Sequence, residues 1–467
     1  MLQKSIFRQY DIRGIYPDTL DEEGAEEIGK ALGTYLVDKG SSKVVVGRDN
    51  RISSPTLSKH FIDGLLATGC SVTNIGLAIT PLIHFLTCTQ DFTAGVMITA
   101  SHNPKNYNGF RLDYKNAAPL YGEDIEEIHE IIKNETYEYS KGLYFEQDLV
   151  HHYIEYLKKR FTFSKRHKIV LDCGNGASSP IAPVVFEALG CEVVSLYCDL
   201  DSDFPHGIPD PENPLFMDVL ESAVKENNAD AGFAFDTDVD RFGLVDNTGS
   251  SYEADKLLLL YAQHALSKKP GGTVVFDVKA TGVLSKIINS LGGVPKMIRT
   301  GHPYFSEEIA RGALLGGEYS GHIFFGGEYF GFDDGIYAAC KVLEIMDSSS
   351  KKIFELMSVF PKMYHSSEIK ISCPDEIKYG LIDTVVANLS QVHDVLSVIS
   401  VDGVRVQVTD TGWYLIRPSN TTPRLSVRVE GVDEAEVNLM LGRVRAELSN
   451  FEILDLTPLN SAEIYQS

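Results

Sequence analysis

Asp236, Asp238 and Asp240 stand at alternate positions in the stretch AFDTDVDRFGLVD, where three like charges repel unless something neutralises them. On a straight strand rising ~3.3 Å per residue, the outer two carboxylates would lie about 13 Å apart. One ion bound at ~2.1 Å does not bridge that span. The pattern therefore predicts a tight loop wrapped around a hard divalent cation, and an all-oxygen ligand set favours Mg2+. Arg241, the next residue, would be a further neutraliser. An EF-hand does not fit: counted from Asp236, Arg241 stands where the glycine should be and Asn247 where the glutamate should be. The competing reading is an acidic surface turn. Against it, the flanks GFAF and FGLV are apolar and place the turn between core strands.

Three other stretches carry comparable chemistry. In TASHNPKNYNGFR, Ser101 follows the apolar run AGVMIT. Pro104 and the Asn and Gly residues after it keep the loop out of a helix, so the serine hydroxyl should be exposed at a strand's carboxyl end, where open α/β sheets hold ligands. Unaided, the same residues also describe an ordinary serine turn; G-x-S-x-G is absent, so this is not a hydrolase elbow. In LGGEYSGHIFFGG, the alternation of Glu318, Ser320 and His322 would put all three on one face of an extended segment. That grouping suits sugar hydroxyls and proton transfer, or a glycine-bulged strand. RTGHPYF adds His302, a lone histidine whose role can be structural. In RPSNTTPR, Arg417, Ser419, Asn420 and Thr421 offer a guanidinium fork and several donors, as a phosphate dianion requires or as a hairpin turn with capping hydroxyls would provide. The stretch DCGNGA does not extend to a dinucleotide fingerprint, because Ser179 breaks G-x-G-x-x-G, and no Walker A motif occurs.

These residues sit in a chain of 467 residues with a formal net charge of −23, which argues against nucleic acid or an anionic membrane as partner. An anionic substrate would have to be met by positive charge gathered locally. The seven cysteines show no CxxC pair, so free buried thiols in a reducing compartment are expected rather than a zinc site or a disulfide scaffold. The N-terminal stretch lacks an apolar signal region, and no run reaches the ~18 apolar residues of a membrane span, so a cytoplasmic, soluble protein is expected.

The elements that must position the chemistry share a grammar. KVVVGRDNR from Lys43, KIVLDCGNGAS from Lys168 and TVVFDVKATG from Thr273 are β-branched runs, each followed by a helix-compatible stretch. Such runs suit strands buried on both faces, so three tandem α/β units with mixed, mainly parallel sheets are expected. The last hundred residues read as strand–turn–strand with period-2 alternation and then a helix, an α+β unit of another kind. Seams near KNETYEYSKGLYFEQDLVHHY, VDNTGSSYEADK (with a helix starting near Asp255) and SVFPKMYHSSEIKISCPDE give domains at 1–148, 149–250, 251–365 and 366–467.

The stretches TASHNP, DTDVDR, GGEYSGH and RPSNTTP, in that order and over essentially the whole chain, resemble the phosphoserine, metal, sugar and phosphate loops of the α-D-phosphohexomutase superfamily. GGEYSGHIFF and YDIRG look closest to its bacterial phosphomannomutase/phosphoglucomutase branch; phosphoglucosamine mutases usually carry Gln where Tyr319 stands. The resemblance implies four domains around a central cleft, with Ser101 phosphorylated and sharing one Mg2+ per chain with Asp236, Asp238 and Asp240. It implies that Glu318 and Ser320 hold sugar hydroxyls and that His302 and His322 lie near the transferring oxygens. Arg417, Ser419, Asn420 and Thr421 would grip the phosphate not in transfer. Tyr10, Arg13 and Lys279 match further active-site positions, and Arg241 and Arg111 are expected among the catalytic residues. Arg111 replaces a lysine common after NGF in that branch; arginine stabilises charge but does not shuttle a proton. The implied reaction converts hexose 1-phosphate to hexose 6-phosphate, for mannose or glucose, through a hexose 1,6-bisphosphate that also serves as activator. A monomer or weak dimer is implied. A phosphosugar phosphatase, or a relative that only binds sugar phosphate, would share these motifs.

Overall fold

The computed structural model describes residues 2–389, 395–419 and 422–466. The chain divides into two compact units: Met1–Ala254 with Ile309–Gly312 and Ser320–Leu356, and Asp255–Glu308 with Ala313–Tyr319 and Met357–Ser467.

The first unit holds two mixed sheets. One runs Ile12–Ile15, Tyr107–Tyr114, Ala94–Ile98, Lys43–Arg48, Ser71–Leu77, Tyr144–Glu146. Its last four strands are parallel and its first two are antiparallel additions. The apolar run from Lys43 is a strand as its composition predicts, and Ala94–Ile98 is buried along its whole length. Helix Glu22–Asp38, whose N-terminus is capped by Asp21 accepting from the Gly24 amide at 2.8 Å, helps cover this core. It crosses helix Ser54–Ala67 at two glycines: a Cβ on Gly29 would lie 2.2 Å from the Phe61 carbonyl oxygen, so the backbones meet directly. The polar seam before residue 150 is partly structured, since Tyr144–Glu146 pairs onto Ser71–Leu77 as an edge strand.

The second sheet of this unit runs Ser251–Tyr252, Phe242–Asp246, Ala231–Phe235, Lys168–Asp172, Glu192–Leu196. The last three strands are parallel. The hairpin Ile323–Gly326/Phe330–Asp333, which is not part of this second sheet, and helix Gly335–Ser349, capped by Asp334, belong to the same compact unit.

In the second unit, Val294–Ile298, Thr273–Asp277 and Leu315–Gly317 form a parallel trio, preceded by helix Ala254–Lys268 where the sequence places one. The C-terminal strands make an antiparallel sheet in the order Ser397–Ile399, Val404–Gln407, Trp413–Pro418, Arg424–Gly431, Tyr364–Ser366, Ile464–Gln466, with Ile369–Ser372 also paired to Arg424–Gly431. The expected period-2 exposure does not hold for Trp413–Pro418, which is buried at every position. One face packs on helices Asp375–Leu389 and Glu434–Leu448; on the other, Trp413 and Leu415 meet Val278 and Met297. All seven cysteines are free thiols, but Cys88 and Cys198 are partly exposed rather than buried as expected. Among the described residues no helix is long and apolar enough to cross a membrane.

Candidate active site

Asp236, Asp238 and Asp240 lie in the tight loop between strands Ala231–Phe235 and Phe242–Asp246, as the spacing requires. The loop is tied from outside by its backbone. The carbonyls of Thr237, Asp238 and Val239 accept from the amides of Ala177 at 3.0 Å, Thr80 at 2.9 Å and Gly335 at 3.0 Å. Gly335 must be glycine, since a Cβ there would sit 2.7 Å from the Arg241 carbonyl oxygen. Val239 adopts φ 72°, a left-handed conformation that strains a β-branched residue. With the carbonyls drawn outward, the three carboxylates converge: one oxygen from each lies within 4.8 Å of the others, all buried.

Electrostatics make this cluster a candidate cation site. Burial, then Asp240 and Asp238, push the Asp236 carboxyl well above the usual range. Burial and Asp240 lift Asp238 to about 6. Asp240 goes the other way: against its burial, His322 and Arg111 hold it well below that range. Asp238 Oδ2 accepts from Thr80 Oγ1 at 2.5 Å, while its buried Oδ1 has no hydrogen-bond partner among the described residues. Three convergent buried carboxylates, with an Asp238 oxygen left without a hydrogen-bond partner, fit a hard divalent cation.

Ser101 follows strand Ala94–Ile98 at its carboxyl end. The expected exposure of its hydroxyl is not found; the residue is 4 % exposed. Its Oγ donates to Asp236 Oδ2 at 2.7 Å and lies 3.1 Å from His102 Nδ1, so the serine loop is folded against the aspartate loop. Ser101 has φ 47°, a second strained residue beside the first. Burial and then the Arg241 charge hold His102 well below its ordinary value, so the imidazole is neutral near pH 7.

The Ser101 loop is gripped from beneath by Arg51, a residue that motif reading did not single out. Its guanidinium, 1 % exposed, donates to the carbonyls of Ser101, Asn103 (2.7 Å), Pro104 (2.8 Å) and Tyr107 (3.2 Å), while Nε pairs with Asp49 at 3.1 Å. Arg13, on strand Ile12–Ile15, braces the same loop through Asn103 Oδ1 at 3.0 Å and pairs with Asp11 at 2.7 Å. Tyr10 is half-buried in the bend just before that strand.

Arg111 reaches Asp240 Oδ2 at 2.6 Å through one arm and Asp333 at 3.0 and 3.2 Å through the other. Behind it, His84 lies 3.6 Å from Asp333 and 3.2 Å from Asp113. His322 Nε2 stands 3.4 Å from Asp240, and its Nδ1 is 2.8 Å from Ser320 Oγ. Arg241 donates its backbone amide to Asp236 at 3.2 Å and its guanidinium to Glu212 at 3.0 Å, while its charge still draws the carboxyls of Asp236 and Asp240 down.

The second unit carries its own cluster. Asp277, at the carboxyl end of its strand, accepts from Thr300 Oγ1 at 3.2 Å; burial and the Glu318 charge, opposed by Lys279 and Arg417, push it to about 7. Lys279 Nζ lies 5.2 Å from the centroid of the Tyr319 ring, and Arg405 and Arg428 hold its turn through the carbonyls of Val278, Lys279 and Ala280. His302 opens helix His302–Ala310 and is buried. Arg417 is not a wholly open fork, because Asp402 takes its Nε at 3.1 Å and Nη2 at 3.0 Å. Ser419 turns toward Thr422, Oγ to Oγ1 2.8 Å, and Lys378 binds the Ser419 carbonyl at 2.6 Å. Asn420 and Thr421 lie outside the described residues.

The segment Glu318–His322 also corrects an expectation. It is a turn rather than an extended run, with Gly321 at φ 102°, so alternation does not put the three side chains on one face. Ser320 and His322 belong to the first unit and Glu318 to the second.

Comparison with known proteins gives a consistent picture along the chain. Four family models match in order: phosphoglucomutase/phosphomannomutase alpha/beta/alpha domain I over residues 4–139, domain II over 151–249, domain III over 253–364 and the C-terminal domain over 368–447. A phosphomannomutase/phosphoglucomutase of Pseudomonas syringae pv. tomato is 41 % identical over 96 % of each chain. A phosphoglucomutase of Neisseria gonorrhoeae is 36 % identical over 96 % of this chain and 98 % of its own. The crystal structure of a phosphoglucomutase/phosphomannomutase family protein from Burkholderia thailandensis superposes with a TM-score of 0.91 at 34 % identity, covering 99 % of this chain and 100 % of that one.

Proposed function

The chain belongs to the phosphoglucomutase/phosphomannomutase family of the α-D-phosphohexomutase superfamily, an isomerase interconverting hexose phosphates, and from that premise we propose how its residues divide the work. The observation that carries the reading is the 2.7 Å contact of the Ser101 hydroxyl with Asp236, inside a convergent set of three buried carboxylates. A hydroxyl so placed is a phosphoryl carrier. Asp236, Asp238 and Asp240 would hold one Mg2+, which supplies positive charge to neutralise phosphoryl oxygens.

On this reading Ser101 carries the phosphate in the resting enzyme and gives it to the free hydroxyl of a hexose monophosphate. The 1,6-bisphosphate so formed turns end for end and returns its other phosphate to Ser101, so added bisphosphate would act as activator by restoring any Ser101 that has lost its phosphate. His322, fixed between Asp240 and Ser320, handles the proton of the reacting hydroxyl. Arg111 holds Asp240 in register and stays charged throughout. Arg13 and Arg51 keep the Ser101 loop rigid, so the hydroxyl is preorganised rather than ordered at each turnover. Tyr10, Lys279, His302, Glu318 and Ser320 are assigned to the sugar, and Arg417, Ser419, Asn420 and Thr421 to the phosphate not in transfer. Arg241 screens the loop from its far side. The domain limits 1–148, 149–250, 251–365 and 366–467 form part of the same proposal.

The test is incubation with Mg2+, a trace of glucose 1,6-bisphosphate and either mannose 1-phosphate or glucose 1-phosphate, followed by phosphorus NMR. Appearance of the hexose 6-phosphate supports the mutase; accumulation of inorganic phosphate in its place identifies a phosphatase and overturns it.

A further inference from the structure

Cys173 and Cys198 stand at the carboxyl ends of neighbouring parallel strands, Lys168–Asp172 and Glu192–Leu196, in the sheet that carries the aspartate loop. Their sulfurs are 3.2 Å apart, with the Cys198 thiol pointing at Cys173 Sγ. Cys173 lies just past the end of its strand and Cys198 just past the end of the neighbouring one, and the Cys173 amide is bonded to the Leu196 carbonyl at 3.1 Å, which ties the two strand ends together beside the sulfurs. None of the residues assigned to phosphoryl transfer uses either sulfur.

We propose that Cys173 and Cys198 are a reversible oxidation site, closing to a disulfide when the protein meets a hydroperoxide. Cys198 is the partly exposed member and Cys173 the fully buried one, which sets their order of reaction. The Cys198 thiolate attacks the terminal peroxide oxygen; the O–O bond breaks, water or an alcohol leaves, and a sulfenic acid forms. Cys173 sulfur then attacks the Cys198 sulfur, the S–S bond forms, the S–O bond breaks and a second water leaves with the Cys173 proton. The thiol pair loses two electrons and the peroxide gains them. Thiolate character at Cys198 is favoured by its hydrogen-bonding contact with Cys173, which draws its pKa below the ordinary value, whereas burial pushes Cys173 well above it.

The site is coupled to the aspartate loop by a short run of backbone. The turn after Cys173 folds back so that Gly176 N bonds the Cys173 carbonyl at 2.8 Å and Ala177 N holds the Thr237 carbonyl at 3.0 Å. Asn175, inside that turn, bonds the Tyr197 carbonyl at 2.8 Å and receives Asn50 on its own carbonyl. Drawing the two sulfurs from 3.2 Å to the ~2.05 Å of a bond therefore moves the support of Thr237, and with it the carboxylates on either side.

The experiment treats the full chain with hydrogen peroxide and reads intact mass, the peptide map and mutase turnover, before and after dithiothreitol. The expected product is about 2 Da lighter, with residues 173 and 198 in one cross-linked peptide. Turnover should fall several-fold and recover on reduction, while Cys198→Ser, outside the phosphoryl-transfer machinery, neither cross-links nor loses turnover. Persistence of both thiols, or oxidation that stops at sulfenic or sulfinic acid on Cys198, overturns the site. A cross-link that leaves turnover unchanged overturns its coupling to the loop. The mass readout does not depend on the mutase reading, so failure of the one is distinct from failure of the other.

Discussion

Replacing Asp238 by asparagine should stabilise the metal-free protein and weaken the metal-loaded one, and the first half of that statement can be sized from the structure. Asp238 is buried beside two other carboxylates, and its pKa stands near 6 against an ordinary 3.8. A carboxyl whose native pKa is raised binds more protons folded than unfolded, so stability falls as pH rises. The cost is absent below about pH 3.8, grows up to about pH 6 and is full above that. A gap of ~2 pKa units corresponds to roughly 3 kcal/mol at neutral pH. Asparagine removes that cost, keeps an oxygen for the Thr80 hydroxyl, and turns its amide hydrogens toward Asp236 and Asp240. At ~2–4 °C per kcal/mol for a large folding unit, the variant should melt about 6–12 °C above wild type in EDTA near pH 7.5. With Mg2+ the order should narrow or reverse, because a ligand at a hundred times its Kd adds ~2.7 kcal/mol to wild type and less to a variant lacking one ligand charge. Thermal unfolding at neutral and mildly acidic pH, with EDTA or Mg2+, reads all four conditions. A variant less stable than wild type in EDTA, or an equal Mg2+ shift in both proteins, would refute the reasoning.

Three further outcomes follow from the same geometry. Ser101→Ala should fold normally yet lose turnover by orders of magnitude, and should lack the phosphate-sized mass increment expected on a fraction of wild type; near-wild-type turnover would remove Ser101 from the reaction. Arg51→Lys keeps the charge but not a fork able to serve four carbonyls, so kcat should fall by about tenfold or more with KM little changed; an unchanged kcat would show that the loop holds its shape without the guanidinium. Arg417→Lys should raise KM and the demand for added bisphosphate, read from initial rates at varied activator, because the Asp402-oriented fork is lost.

Much of this arrangement is legible in the sequence where local chemistry decides. The three β-branched runs are strands, the aspartate triplet is a tight loop between buried strands, and RPSNTTPR joins two strands of one sheet. The parts that were not legible depend on contacts distant in sequence. Nothing local to Arg51 signals that it reaches back to the carbonyls around Ser101, and no periodicity links Arg111 with Asp333 or Thr80 with Asp238. The alternation at Glu318–His322 misleads because a turn with one left-handed glycine carries the same letters as a strand. Trp413–Pro418 differs for another reason: the unbroken apolar run WYLI interrupts the alternation of the strands around it, and packing covers both faces.

The charges around the aspartate loop are distributed unevenly, and that unevenness bears on the proposed chemistry. Arg111 and His322 lie against Asp240, whose carboxyl is accordingly held low despite its burial. Asp236, at the other end of the triplet, accepts from the amides of Val239 and Arg241 and from the Ser101 hydroxyl, and burial with the Asp240 and Asp238 charges drives its carboxyl up against the opposing Arg241 charge. Protein charge therefore offsets the Asp240 end of the loop more than the Asp236 end. If Ser101 carries a phosphate, further negative charge arrives at that same end. A divalent cation held by Asp236, Asp238 and Asp240 would supply the missing positive charge there, whereas a cation seated on the Asp240 side would meet Arg111 and His322. On this account the loop is preorganised for a cation beside the serine, and the strain at Ser101 and Val239 is a cost of holding the two loops in that register.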